Sequence, residues 1–192
     1  RDVWRRAREL AVNAVLMPDD GLEDPTTAYP KTSLVKSIAL ARDVWQQKQL
    51  VWTHSQGMPG LVRRAVGGAS LVTDETMAKI QGVRFADSRG WGRFVGRVLV
   101  GKDAKRILLI TVYFPTEASG EGSAWQTQSR AMQGIAPEDR KANPWMQAVH
   151  DLEHQVTTFM MASKSQRVRE GTSIVIMGDF NARSKHSDNA QS

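Results

Sequence analysis

The segment that most constrains the chain is Ile174-Val175-Ile176-Met177-Gly178-Asp179-Phe180-Asn181. Its four leading apolar residues read as a fully buried strand. The run stops at Gly178, a carboxylate follows, and a carboxamide comes two positions later. In α/β sheets, ligands gather beyond the carboxyl ends of the strands. Polar groups at that spot are therefore candidates for chemistry. Residues i and i+2 of an extended chain point to the same side. Asp179 and Asn181 are thus expected to face one ligand, with the Phe180 ring turned back into the core.

With 192 residues the chain is long enough for one domain with a substantial core. No apolar run approaches the roughly 20 residues of a membrane helix, so no membrane partner is expected. The sequence does not open on a signal-peptide pattern. It contains no cysteine, which excludes disulfides and thiolate metal sites. That usage fits a reducing, intracellular compartment, nuclear or cytoplasmic.

The net charge is +6, which favours an anionic partner, most often nucleic acid. The same excess also serves solubility. Basic residues gather at Arg1, Arg5, Arg6 and Arg8, then from Arg84 to Arg106, and again at Lys164, Arg167 and Arg169. Phosphate binding needs such groups on one face.

In residues 1–17, Val3, Trp4, Ala7, Leu10, Ala11 and Ala14 recur at helical spacing. Residues 18–30 hold three prolines and four acids and form a loop, a solvated turn or a hard-cation site. Thr32 or Ser33 caps a helix expected to run to about Gln49, and Leu50 to Thr53 follows as a strand.

A β-rich block is expected over residues 61–114. Gln81 to Ala86 is a short strand, and Arg93–Val100 and Arg106–Pro115 form a hairpin turning at Gly101 to Lys105. A helix is expected from Ala124 to Gln133. Another starts at Asn143-Pro144, Asn as cap and Pro in the first turn, and runs to about Ser163. Within it, His150-Asp151-Leu152-Glu153-His154 has the i, i+4 histidine spacing of zinc sites. It equally describes a solvated face opposite the apolar stripe.

Gly178-Asp179-Phe180-Asn181 after an apolar strand resembles the signature of the endonuclease/exonuclease/phosphatase superfamily. That group includes deoxyribonuclease I, apurinic endonucleases, inositol polyphosphate phosphatases and LINE-type retrotransposon endonuclease domains. Other stretches fall in step with it. Gly67-Gly68 with the apolar residues after it resembles an early family strand, and Val112-Tyr113-Phe114-Pro115 resembles the family's apolar-Tyr-x-Pro strand end. The resemblance implies an α/β fold, specifically a four-layer α/β/β/α sandwich.

It also implies phosphodiester hydrolysis with Mg²⁺ or Mn²⁺. Asp179 would hold the metal and orient the attacking water, Asn181 would hold phosphate or water, and Tyr113 would donate to the developing oxyanion. The resemblance gives the first segment a second reading, a strand over Leu10 to Leu16 that carries Asn13, and Asn13 and Arg183 are its implied substrate-binding residues. Read from its residue type alone, Tyr113 is equally a core tyrosine with its hydroxyl at the surface.

The sequence departs from the family in two places. The family's metal-binding Glu is missing from Val51-Trp52-Thr53-His54-Ser55-Gln56-Gly57, where only His54 and Gln56 offer donors. The family's later Ser-Asp-His motif is not found either: His186 and Asp188 come too early and in reversed order. A single domain over residues 1–192 is expected, with the final strands of the family domain missing.

Three functional readings follow from the resemblance. The first is a retroelement-like endonuclease acting on nucleic acid, DNA in particular. The second is a catalytically impaired nucleic-acid-binding relic. The third is a phosphatase or phosphodiesterase acting on inositol phosphates or phospholipids.

Overall fold

A computed structural model of the chain describes residues 2–10, 14–17, 39–44, 50–54, 70–74, 79–101, 105–117, 123–134, 143–162 and 171–181. Helix α1 (Asp2–Glu9) precedes strand β1 (Ala14–Met17), so both readings of the first segment hold, each over its own half. Helix α2 includes residues 39–44. Strands β2 (Leu50–His54), β3 (Ser70–Asp74), β4 (Lys79–Ala86), β5 (Phe94–Val100) and β6 (Arg106–Tyr113) follow. Helices α3 (Ala124–Gln133) and α4 (Pro144–Ala162) then lead to β7 (Thr172–Asp179).

The strands form two sheets, one ordered β1-β3-β2 and one ordered β4-β5-β6-β7. The first is antiparallel throughout. In the second, β5 and β6 form the expected hairpin, with Phe94 opposite Val112 and Val100 opposite Arg106. The Gly101 N–H donates to the Lys105 carbonyl at 2.8 Å and closes its turn. A crossover through α3 and α4 brings β7 back parallel to β6.

Alternation along β5 and β6 sorts their side chains to two faces. Phe94, Val98, Leu108, Ile110 and Val112 face α4, where Phe85, Phe114, Ala148 and Leu152 complete the main core. Val95 and Leu109 point the other way, and Leu16 of β1 packs against them. The two sheets therefore meet face to face. On the far side of β1, Trp4 and Ala7 of α1 pack with Ala41 of α2 and with Val15. The layers run helix, sheet, sheet, helix, which is the expected α/β/β/α sandwich.

The helix ends follow local chemistry. Ser123 caps α3 by accepting the Gln126 N–H at 3.2 Å. Asn143 caps α4, its Oδ1 accepting the N–H groups of Trp145 at 2.8 Å and Met146 at 3.3 Å.

The expected full burial of the Ile174–Met177 run is corrected here. Among the described residues β7 pairs only with β6, and Ile174 and Ile176 are 39% and 37% exposed. The main core on the helix-covered face draws on β4, β5 and β6 and includes no β7 residue. A strand's apolar sequence does not bury it without neighbours on its edge and over its face.

Candidate active site

The carboxyl ends of β6 and β7 lie side by side. Their parallel ladder ends with Tyr113 level with Asp179. Partners in a parallel ladder share a face. The Tyr113 side chain packs with Val95 and Leu109, so both residues belong to the face toward the other sheet. One residue further, the Phe114 N–H donates to the Asp179 carbonyl at 2.9 Å. Two residues 66 positions apart in sequence, Tyr113 and Asp179, are thereby held level by the backbone ladder.

Gly178 makes this possible. Its φ is +144°, and a Cβ there would lie 2.1 Å from the Val112 carbonyl oxygen. Only glycine fits so close an approach with such a backbone.

Asn181 does something other than expected. It has φ +46°, a left-handed conformation, instead of continuing the extended strand. Its N–H donates to Asp179 Oδ1 at 2.9 Å, and its side-chain Nδ2 donates to the Phe114 carbonyl at 2.6 Å. The amide is thus a clamp between the ends of β6 and β7, which uses one of its N–H groups and leaves Oδ1 and the second N–H outside that bond. The i, i+2 alternation does not carry past Asp179, where the strand ends. The Phe180 ring packs edge-on against Phe114, with centroids 5.5 Å apart, yet stays 38% exposed. It turns only partly into the core.

Residues not singled out from sequence frame the same end. Trp145, in the first turn of α4, donates its indole N–H to the Phe180 carbonyl at 2.5 Å. The start of α4 therefore borders the site. Across β5, the Tyr113 N–H donates to the Arg93 carbonyl at 2.7 Å.

The Arg93 side chain is 1% exposed, and it binds both oxygens of Asp87 at 2.8 Å and Asp151 Oδ2 at 2.7 Å. Arg89 joins Asp151 at 2.6 Å. Burial pulls the Arg93 pKa down, but the hydrogen bonds and charges of Asp87 and Asp151 outweigh it and hold it above the ordinary value. These two arginines of the middle basic group spend their charge inside the protein. A sequence signal for this existed: Asp151 interrupts an otherwise apolar stripe between Ala148 and Leu152.

Asn13 and Arg183 lie outside the described residues, as do Gln56, His186 and Asp188. His54 ends β2. Among the described residues no group of three or more His, Cys, Asp or Glu is placed to hold a metal. The described donors at the site are the Asp179 carboxylate and the Asn181 Oδ1. Both are hard oxygens, the type Mg²⁺ takes when one or two carboxylates hold it and water and phosphate complete its shell. The donor chemistry fits that mode of binding and does not fit an all-protein cage.

The fold is found in a solved structure. The chain superposes on ANGEL2, a 2′,3′-cyclic phosphatase, with a TM-score of 0.54 and 8% identity over 94% of its length. The chain has the endonuclease/exonuclease/phosphatase fold. The human Nocturnin catalytic domain, solved with bound sulfate, matches at a TM-score of 0.47 and 10% identity, covering 95% of this chain and 58% of that one. Beta toxin from Staphylococcus aureus matches at 0.41 and 12% identity, covering 91% of this chain and 55% of that one. The chain spans 42% of the length of ANGEL2. No protein-family model and no curated protein sequence matches it. Among the described residues no helix is long and apolar enough to cross a membrane.

Proposed function

We propose that the chain hydrolyses phosphodiester bonds in nucleic acid with Mg²⁺ or Mn²⁺, as a retroelement-like endonuclease. The observation that carries this reading is the pairing of Asp179 with Tyr113 at the shared carboxyl end of β6 and β7. A carboxylate and a phenol side by side supply a proton acceptor and a proton donor for one phosphate. The net charge of +6 favours a polyanionic substrate over a small phosphate ester.

In this reading Asp179 orients water and accepts its proton as the oxygen attacks phosphorus. The bond from phosphorus to the leaving oxygen breaks, and Tyr113 donates a hydrogen bond to the charge that develops. Asn181 holds the ends of the two strands at fixed spacing and offers Oδ1 to the site. A hard cation held by Asp179 supplies neutralisation of the phosphate. Asn13 and Arg183 belong to this proposal as substrate-binding residues.

The 2′,3′-cyclic phosphate on which ANGEL2 acts is itself a phosphodiester of a nucleotide, which is consistent with the bond class proposed. A second reading is a nucleic-acid-binding domain that keeps the fold without turnover. The Asn181 observation favours it, because one amide N–H is taken up by the Phe114 carbonyl instead of a phosphate.

Nicking of supercoiled plasmid in Mg²⁺, against an EDTA control, separates the two. Asp179→Ala is expected to lower the nicking rate about 100-fold or more, and Tyr113→Phe about 10-fold. Equal nicking by wild type and Asp179→Ala would falsify the enzyme reading. Binding to DNA without nicking selects the second reading. Phosphate release from inositol polyphosphates, without nicking, would move the substrate class instead.

A further inference from the structure

The face of α4 turned away from the core carries a histidine pair that phosphodiester chemistry does not use. Ala148 and Leu152 bury one side of the helix, while His150 and His154 lie on the exposed side. At i and i+4 they stand one above the other. Their rings are nearly parallel, 4° apart, with centroids separated by 6.5 Å. The His150 side chain is 74% exposed. Both rings can reorient without displacing a packed neighbour.

His150 borders the buried ion-pair cluster without joining it. Its Nδ1 lies 3.9 Å from Asp151 Oδ1, beyond hydrogen-bond distance. Asp151 is itself fixed by Arg89, Arg93 and Gln147, the last donating at 2.8 Å. That carboxylate places negative charge beside the pair, which favours a bound cation.

We propose that His150 and His154 form a two-imidazole site for a borderline divalent cation: Zn²⁺, Ni²⁺ or Cu²⁺. Imidazole suits these ions, whereas Mg²⁺ and Ca²⁺ take oxygen. The donor type therefore separates this site from the one at Asp179. Two protein ligands leave the remaining coordination positions to water or to donors of an approaching molecule.

The test uses the full chain, freed of metal by chelation, in calorimetric titration with NiCl₂ and CuCl₂. Each of His150→Gln and His154→Gln should weaken binding about tenfold or more. Both positions are exposed, so far-ultraviolet circular dichroism should be unchanged in either variant. In the Cu²⁺ form, electron paramagnetic resonance should report two nitrogen ligands, falling to one in each variant. MgCl₂ should not displace the bound ion. Unchanged affinity in either variant, or a wild-type spectrum with a single nitrogen, overturns the paired site. Neither outcome bears on nicking, so this inference and the proposed endonuclease activity fail independently.

Discussion

Strands β6 and β7 are neighbours in one sheet and read alike in sequence, yet the protein treats them differently. Leu108, Ile110 and Val112 of β6 are each 0% exposed, whereas Ile174 and Ile176, level with Leu108 and Ile110, are 39% and 37% exposed. β6 has β5 on one edge, β7 on the other, and α4 over its face. Among the described residues β7 has a strand partner on one edge only, β6, and reaches the core between the sheets through Val175. Periodicity and residue type report that a strand can be buried. Only the sheet order and the layer above it decide whether it is. The candidate site sits at the seam between these two strands, with Tyr113 on the covered one and Asp179 on the open one.

The sharpest way to break the seam is Gly178→Ala. A methyl group there meets the Val112 carbonyl oxygen at 2.1 Å and the Val112 nitrogen at 2.8 Å, with the backbone at φ +144°. Neither neighbour is a flexible side chain, so the ends of the ladder must part. The expected cost is about 3 kcal/mol or more, from backbone strain and lost pairing together. Denaturant unfolding measures it. A loss below about 1 kcal/mol would show that β7 is not held to β6 as described.

Truncating equivalent isoleucines sharpens the contrast between the strands. Ile110 and Ile176 are partners across the ladder and differ in burial, at 0% and 37% exposed. Ile110→Ala should cost about 2–5 kcal/mol, as cavity-forming substitutions in a packed core do. Ile176→Ala should cost about 1 kcal/mol or less, because less apolar area leaves water there on folding. Equal losses from the two would mean that β7 is covered in solution by something that buries Ile176.

What was legible in the sequence follows the same division. Helix α3 appears over Ala124–Gln133 as read, and α4 and the β5–β6 hairpin lie within a residue or two of expectation. These elements are specified by local signals, namely the Ser123 and Asn143 caps, the apolar stripe and the glycine turn. Gly178-Asp179 was legible as a strand end for the same reason. The meeting of Asp179 with Tyr113 was legible only through the family resemblance, because a parallel pairing between distant strands leaves no local trace.

The placement of Asn181 was misread because a left-handed residue with its side chain on a distant carbonyl has no periodic signature. The Asp87–Arg93–Asp151 cluster was missed on similar grounds. Charged residues are read as surface by default, and partners 58 positions apart, Arg93 and Asp151, are joined only by folding.

That cluster gives the gentlest test of the covered side. Burial pushes the Asp151 carboxyl up, but hydrogen bonds from Arg89, Arg93 and Gln147, with the charge of Arg93, outweigh it. Its pKa in the folded protein lies below the ordinary carboxylate value. A depressed folded pKa means that the unfolded chain takes up the proton first as the pH falls. The stability Asp151 contributes is fully present above its unfolded pKa of about 3.9, and is lost as the pH falls from there through the lower folded value.

Loss of that charge should loosen α4 from the 87–93 segment, because Asp151 is the joint between them. The measurement is the pH dependence of unfolding free energy for wild type and Asp151→Asn between pH 6 and pH 3. The variant should be less stable at pH 6, and its deficit should shrink toward acid. The β7 strand has no part in this cluster, so Ile176→Ala should shift the whole curve without changing its slope. A deficit for Asp151→Asn that stays constant with pH would mean the carboxylate's charge is not what joins helix to sheet, leaving shape complementarity alone to distinguish the covered strand from the open one.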